Sequence, residues 1–159
     1  MTTPTAENGA LDRNFAGQWY QSWLAAWNTH DFGGVKDIIT EDFVLDSPTT
    51  RHTGWHVQGR DAAADYLRYV LSAYPDLEWK VIAEPMFDDT LRKAAFSWRG
   101  TGHFSGRLDP PGIEGTGRAF DFSGLEVFSF RGDRACRLWA SYDLIGLMKQ
   151  IGLYRSAAS

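Results

Sequence analysis

Apolar side chains recur along the first part of the chain at the spacing of a helix. Phe15, Trp19, Trp23 and Trp27 stand at i, i+4, i+8 and i+12, with Leu24 beside them. That spacing predicts a helix of about four turns from Leu11 to Asn28 with one apolar face. Asp31 is placed to cap a second, short helix whose Val35, Ile38 and Ile39 turn inward. Phe43-Val44-Leu45 predicts a short strand, and Thr49 to Gln58 a polar loop containing His52 and His56. Gly59-Arg60-Asp61 opens a third helix with the stripe Tyr66, Leu67, Val70, Leu71 and Tyr74, and Pro75 ends it.

Beyond Pro75 the period changes from helix to strand. Leu77 to Phe87, Leu91 to Phe104, Arg118 to Arg131 and Arg134 to Tyr142 predict four strands. Asp88-Asp89 and Arg131-Gly132-Asp133 supply turns, and Asp109 to Gly117 is an irregular loop. Asp143 caps a last helix, Leu144 to Ile151. Helices come early and antiparallel strands late, the order of an α+β fold. The expected architecture is a curved antiparallel sheet wrapped around helices, forming a cone with an internal apolar pocket. The expected organisation is a loose tail over residues 1–10 and a single domain over residues 11–155.

One strand carries chemistry. In an extended Phe120 to Phe130, one face holds Phe120, Phe122, Gly124, Glu126, Phe128 and Phe130, and the other holds Asp121, Ser123, Leu125, Val127 and Ser129. A carboxyl group in that row of aromatic rings is costly to ionise, so burial raises its pKa toward the range in which a general acid or base works. Two alternatives stay open: Glu126 is paired with Arg99 or Arg137, or a bulge turns it to solvent. Asp46, at the end of the first strand, is a second candidate and otherwise a turn-capping Asp. His103, at the end of the long strand, is a third and otherwise a surface residue. His52 and His56 have no acidic ligand near them in sequence and Gly54 between them, so no metal site is expected.

Composition narrows the field. The chain has 159 residues, a formal charge of −4 and a single cysteine, Cys136. It carries seven Trp, six Tyr and ten Phe, enough to fill a core and also to line a pocket for a flat apolar ligand. No basic footprint points to nucleic acid, and no apolar run is long enough to cross a membrane. The lone cysteine and the polar start of the chain lead to an expected cytoplasmic location.

Several segments resemble a known family. Ser141-Tyr142-Asp143-Leu144-Ile145-Gly146-Leu147-Met148-Lys149-Gln150-Ile151-Gly152, together with Gly100-Thr101-Gly102-His103, Gly115-Thr116-Gly117-Arg118 and Trp27-Asn28-Thr29, resemble the SnoaL-like polyketide cyclases of the nuclear transport factor 2-like superfamily. The resemblance spans roughly Phe15 to Leu153. It implies a homodimer and acid–base chemistry without metal or organic cofactor. It also implies a His and an Asp two residues apart on the last strand. The matching positions here are Leu138 and Ala140, neither of which can move a proton, so the chain departs from the family pattern at its chemical centre. A Gln of the family's pocket corresponds to Glu126, and a pocket His to Phe128.

The expected function is therefore proton transfer, as cyclisation, isomerisation or dehydration, on a hydrophobic polyketide-like or polycyclic molecule. Glu126 is the first candidate acid–base, with Asp46 and His103 behind it. Trp23, Trp98, Phe128, Leu138 and Tyr142 are the candidate pocket wall, and the Tyr142 hydroxyl is placed to stabilise an enolate oxygen. The alternative is a protein of the same fold that binds an apolar molecule without chemistry.

Overall fold

The computed structural model describes residues 9–154. The expected tail lies outside the described residues except for Gly9 and Ala10, as does Arg155 at the expected domain's other end. Asp12 caps α1 (Arg13–Thr29) by accepting from the Phe15 N–H. The chain then forms α2 (Val35–Ile38), β1 (Ile39–Asp46), α3 (Pro48–Thr53), β2 (Val57–Gln58) and α4 (Arg60–Ala73). The second half adds β3 (Glu78–Val81), β4 (Met86–Asp88), β5 (Lys93–His103), β6 (Arg107–Leu108), β7 (Ile113–Glu114), β8 (Ala119–Arg131), β9 (Arg134–Tyr142) and α5 (Leu144–Gln150).

Seven strands form one curved sheet in the order β2-β1-β9-β8-β5-β3, with β4 also on β5. Each junction is antiparallel except β1 with β9, which run parallel. The long pairing of β8 with β5 is continuous from Lys93↔Ser129 to His103↔Ala119. It keeps one face of β8 inward along its length, and the register shift against β9 comes only at Ser129 and Phe130. The helices cover that inner face, so the α+β architecture is the expected one.

The structure corrects four local expectations. Asp31 does not cap α2: its carboxylate accepts from the Gly33 N–H in a turn, and Gly34 occupies the cap position. The strand expected over Leu77 to Phe87 is two strands, because the ladder on β5 stops after Val81 and resumes only at Met86, beyond Pro85. The expected polar loop from Thr49 begins as α3, with Ser47 and Thr50 closing a capping box and Pro48 in the first turn. The loop from Asp109 lies mostly within a small hairpin of β6 and β7.

Candidate active site

The face of β8 that alternation turns inward splits into two environments. Phe128 and Phe130 are buried against Trp19 of α1, with ring centroids 4.7 and 5.1 Å away. Phe120 and Phe122, at the other end, face a cavity of about 90 Å³. Its remaining wall comes from α1, β1, α3 and the Ser47 before it, α4, β3, β5, β6, β9 and α5, with Tyr66, Trp79, Trp98, Leu138, Tyr142 and Met148 among its residues. Gly124 permits this arrangement. A Cβ there would stand 2.5 Å from the Trp98 ring, so the indole lies across β8 only because position 124 has no side chain.

Glu126 stands at the boundary between the two environments. It is 9% exposed and lines the cavity. Behind it, the Tyr20 hydroxyl donates to Oε2 at 3.0 Å, and Tyr20 is held flat against Phe96 with centroids 3.8 Å apart. The Trp23 indole N–H also favours the ionised carboxylate, without closing a hydrogen bond of normal geometry. Burial outweighs both and pushes the Glu126 carboxyl up to about 7. No arginine reaches it: Arg99 is paired with Asp121, and Arg137 lies toward Asp46. Both alternative readings of Glu126, the salt bridge and the bulge, are therefore excluded.

Asp46 and His103, the second and third candidates, do not line the cavity. On β1 the side chains alternate, so Leu45 and Ser47 face the cavity while Asp46 faces out. There Asp46 binds Arg51 at 2.6 Å and lies 3.6 Å from Arg137. His103 is exposed and pairs with Asp76 through Nδ1 at 2.6 Å. Of the expected wall, Trp98, Leu138 and Tyr142 line the cavity, whereas Trp23 and Phe128 pack in the core behind it. His52 stands exposed on the cavity wall, while His56 is hydrogen-bonded to Gln58. Among the described residues no three His, Cys, Asp or Glu side chains are grouped to hold a metal ion.

Residues 17–151 match the family model for SnoaL-like polyketide cyclases. The chain belongs to that family. Solved structures share its fold at low identity. TsrD from Streptomyces laurentii is 22% identical with a TM-score of 0.76, over 91% of this chain and 99% of that one. AclR, a putative hydroxylase from Streptomyces galilaeus, is 19% identical with a TM-score of 0.72, over 91% and 89%. IdmH, a putative polyketide cyclase from Streptomyces antibioticus, is 21% identical with a TM-score of 0.68, over 86% and 97%. No match was found among curated proteins. In the pairing of β8 with β9, Ala140, the position at which the family resemblance implies an Asp, is the direct cross-strand partner of Glu126.

Three site residues, Tyr20, Ser47 and Thr49, lie outside the expected set. Tyr20 lies one residue from the tryptophan row. The buried face of α1 holds Ala16, Trp19, Tyr20, Trp23, Leu24, Ala26 and Trp27, and the i, i+4, i+7 spacing of Ala16, Tyr20 and Trp23 puts the hydroxyl inward. Ser47 and Thr49 looked like turn and loop residues, although Ser-Pro-x-Thr is a helix-start pattern.

Proposed function

We propose that this SnoaL-like protein is a cofactor-independent enzyme that moves a proton on a hydrophobic, polyketide-like molecule, with Glu126 as the acid–base group. The observation that supports this reading is that Glu126 is the single carboxyl group on the cavity wall among the described residues, held near neutrality by burial. Tyr20 occupies Oε2 and no hydrogen bond reaches Oε1 among the described residues, which leaves that oxygen free for a substrate proton. The cross-strand position of Ala140 supports it further. Facing residues of an antiparallel pair stand about 4.5–5.5 Å apart, so a long Glu side chain beside a small Ala can bring a carboxyl group to the space an Asp on β9 would fill.

Glu126 as carboxylate takes a proton from carbon and, as carboxylic acid, returns it elsewhere on the substrate. Cyclisation, isomerisation and dehydration differ in what the carbanion does between those steps. The aromatic wall of Trp79, Trp98 and Phe122 selects a flat apolar body. We also propose a homodimer formed through the outer sheet face, where Trp139 is 39% exposed beside Val127. Light scattering at micromolar concentration should give twice the monomer mass.

The test is exchange of the α-protons of an aryl ketone such as acetophenone with D2O, followed by proton NMR near pH 7. Glu126→Gln keeps the shape and removes the exchangeable proton. Exchange should fall by about 10²–10⁴-fold. Binding without exchange in the parent protein would instead identify a binding protein, the reading that Leu138 and Ala140 favour.

A further inference from the structure

Two rows of side chains cross the inner face of the sheet beneath the cavity, and proton transfer at Glu126 does not explain them. In the first row Trp79 of β3 faces Gly100 of β5, and Gly100 faces Phe122 of β8. In the second, Trp98 of β5 faces Gly124 of β8, and Gly124 faces Tyr142 of β9. Each row reads ring, glycine, ring. The rows are adjacent, because Trp98 and Gly100 alternate on β5 and Phe122 and Gly124 on β8. All four rings line the cavity. The next row is Phe96, Glu126 and Ala140, which sets the carboxyl group beside this floor.

The glycines let the indoles lie low. A Cβ on Gly100 would stand 2.7 Å from Trp79 Cζ3 and 3.0 Å from Phe122 Cε1. A Cβ on Gly124 would stand 2.5 Å from Trp98 Cζ2. Side chains at these positions would lift the indoles off the sheet and into the space above it. The depth of the cavity is therefore set by how low Trp79 and Trp98 lie.

Both indoles are also held in place. The Asn28 side-chain amide accepts from the Trp79 backbone N–H at 2.9 Å and donates to the Trp79 backbone C=O at 3.1 Å. Asn28, in the Trp27-Asn28-Thr29 segment of α1, thereby clasps the outer edge of β3 and fixes the first indole. Trp98 is 1% exposed and meets Trp79, Phe122 and Tyr142 with centroids 4.5, 5.1 and 5.8 Å away. The planes of Trp79 and Phe122 stand at 83° and 80° to it, so neighbouring rings block its rotation. A floor packed this way does not yield to a larger ligand.

The space above the floor is small. The cavity holds about 90 Å³, less than the roughly 150 Å³ of an engineered apolar cavity that takes up benzene. One ring fits with its outer edge in the mouth, where His52 and Thr53 on the wall are exposed. A second fused ring has no room inside the walls.

We propose that Trp79 and Trp98 set an upper limit on ligand size, and that this cavity takes a single-ring molecule seated over the two indoles. This rests on the reading of the cavity as the substrate site, and it narrows the polyketide-like class to one-ring members.

The test is isothermal titration with phenol and 1-naphthol, which differ by one fused ring. Phenol should bind the parent protein about tenfold or more tightly than 1-naphthol, since the second ring has to displace packed side chains. Trp98→Leu lowers the floor and should reverse that order. If Trp98→Leu gives no cooperative melt, Trp98→Phe takes its place and should narrow the gap between the two probes. Gly100→Ala adds a methyl group that meets the Trp79 and Phe122 rings first. It should push Trp79 toward the cavity and weaken phenol about fivefold or more. Binding of 1-naphthol to the parent as tightly as phenol overturns the size limit. So does an unchanged preference in the Trp98 variants, or phenol that does not bind the parent. A phenol preference in a parent protein that exchanges no α-protons overturns the acid–base reading and leaves the size limit standing. Proton exchange in a parent that binds both probes alike does the reverse.

Discussion

The two halves of the inner β8 face have the same sequence character and opposite fates. Phe128 and Phe130 meet Trp19 and Trp23 of α1, ring against ring, and leave no space. Phe120 and Phe122 meet Tyr74, Trp79, Trp98 and Tyr142 with centroids 5.0–5.8 Å apart, and a cavity remains in front of them. The difference lies in what stands opposite. Two indoles on one helix fill the first half, whereas α4, β3 and α5 cover the second from farther around the sheet. Glu126 sits where the two meet, with solid core behind it and the cavity in front. A carboxyl group placed two residues further along, at Phe128, would have no route to a ligand.

That contrast can be broken by experiment. Phe128→Ala should destabilise the fold by about 3–5 kcal/mol, as for a large ring removed from a closed core. Phe122→Ala should cost less, roughly 1–2 kcal/mol, because its ring already borders empty space. Denaturant melts measure both, and equal losses would mean that the two halves are packed alike.

Stability should next depend on pH through Glu126. Its pKa is raised from 4.5 to about 7 in the fold, so between those values the folded state holds a proton that the unfolded state has lost. The stability from this group is fully present below pH 4.5 and is lost as pH rises through about 7, by about 3 kcal/mol in all. Thermal melts at pH 5 and pH 8 should show that loss in the parent and not in Glu126→Gln. A parent protein whose pH dependence matches that of Glu126→Gln contradicts it. The smallest effect belongs to the outer face. Asp46→Asn breaks a partly exposed ion pair and should cost no more than about 1 kcal/mol, with proton exchange unchanged. Loss of exchange in that variant would move the chemistry to β1.

Much of this was legible in the sequence. The tryptophan spacing on α1, the alternation on β8 and the helix caps gave the architecture and the inward direction of Glu126. Alternation could not say whether an inward residue meets core or cavity, because that depends on the volume left between elements distant in sequence. Trp23 and Phe128 both point inward and lie behind the cavity wall, in the closed core. Asp46 lies off the cavity for a simpler reason: on a strand, one residue's difference reverses the face, and it is Ser47 that lines the cavity. The four hydroxyl groups on the cavity wall are not legible as a group, because Ser47 and Thr49 at α3, Tyr66 on α4 and Tyr142 on β9 are distant in sequence and meet only in the fold.

The most direct test of Glu126 as the proton-carrying group is its own titration, read from the side-chain carboxyl carbon by ¹³C NMR and assigned by its disappearance in Glu126→Gln. The expected midpoint is near 7, moving higher in Tyr20→Phe, since the Tyr20 hydroxyl favours the ionised form. A midpoint at the ordinary carboxyl value near 4.5, indifferent to Tyr20, would contradict the proposed role of Glu126.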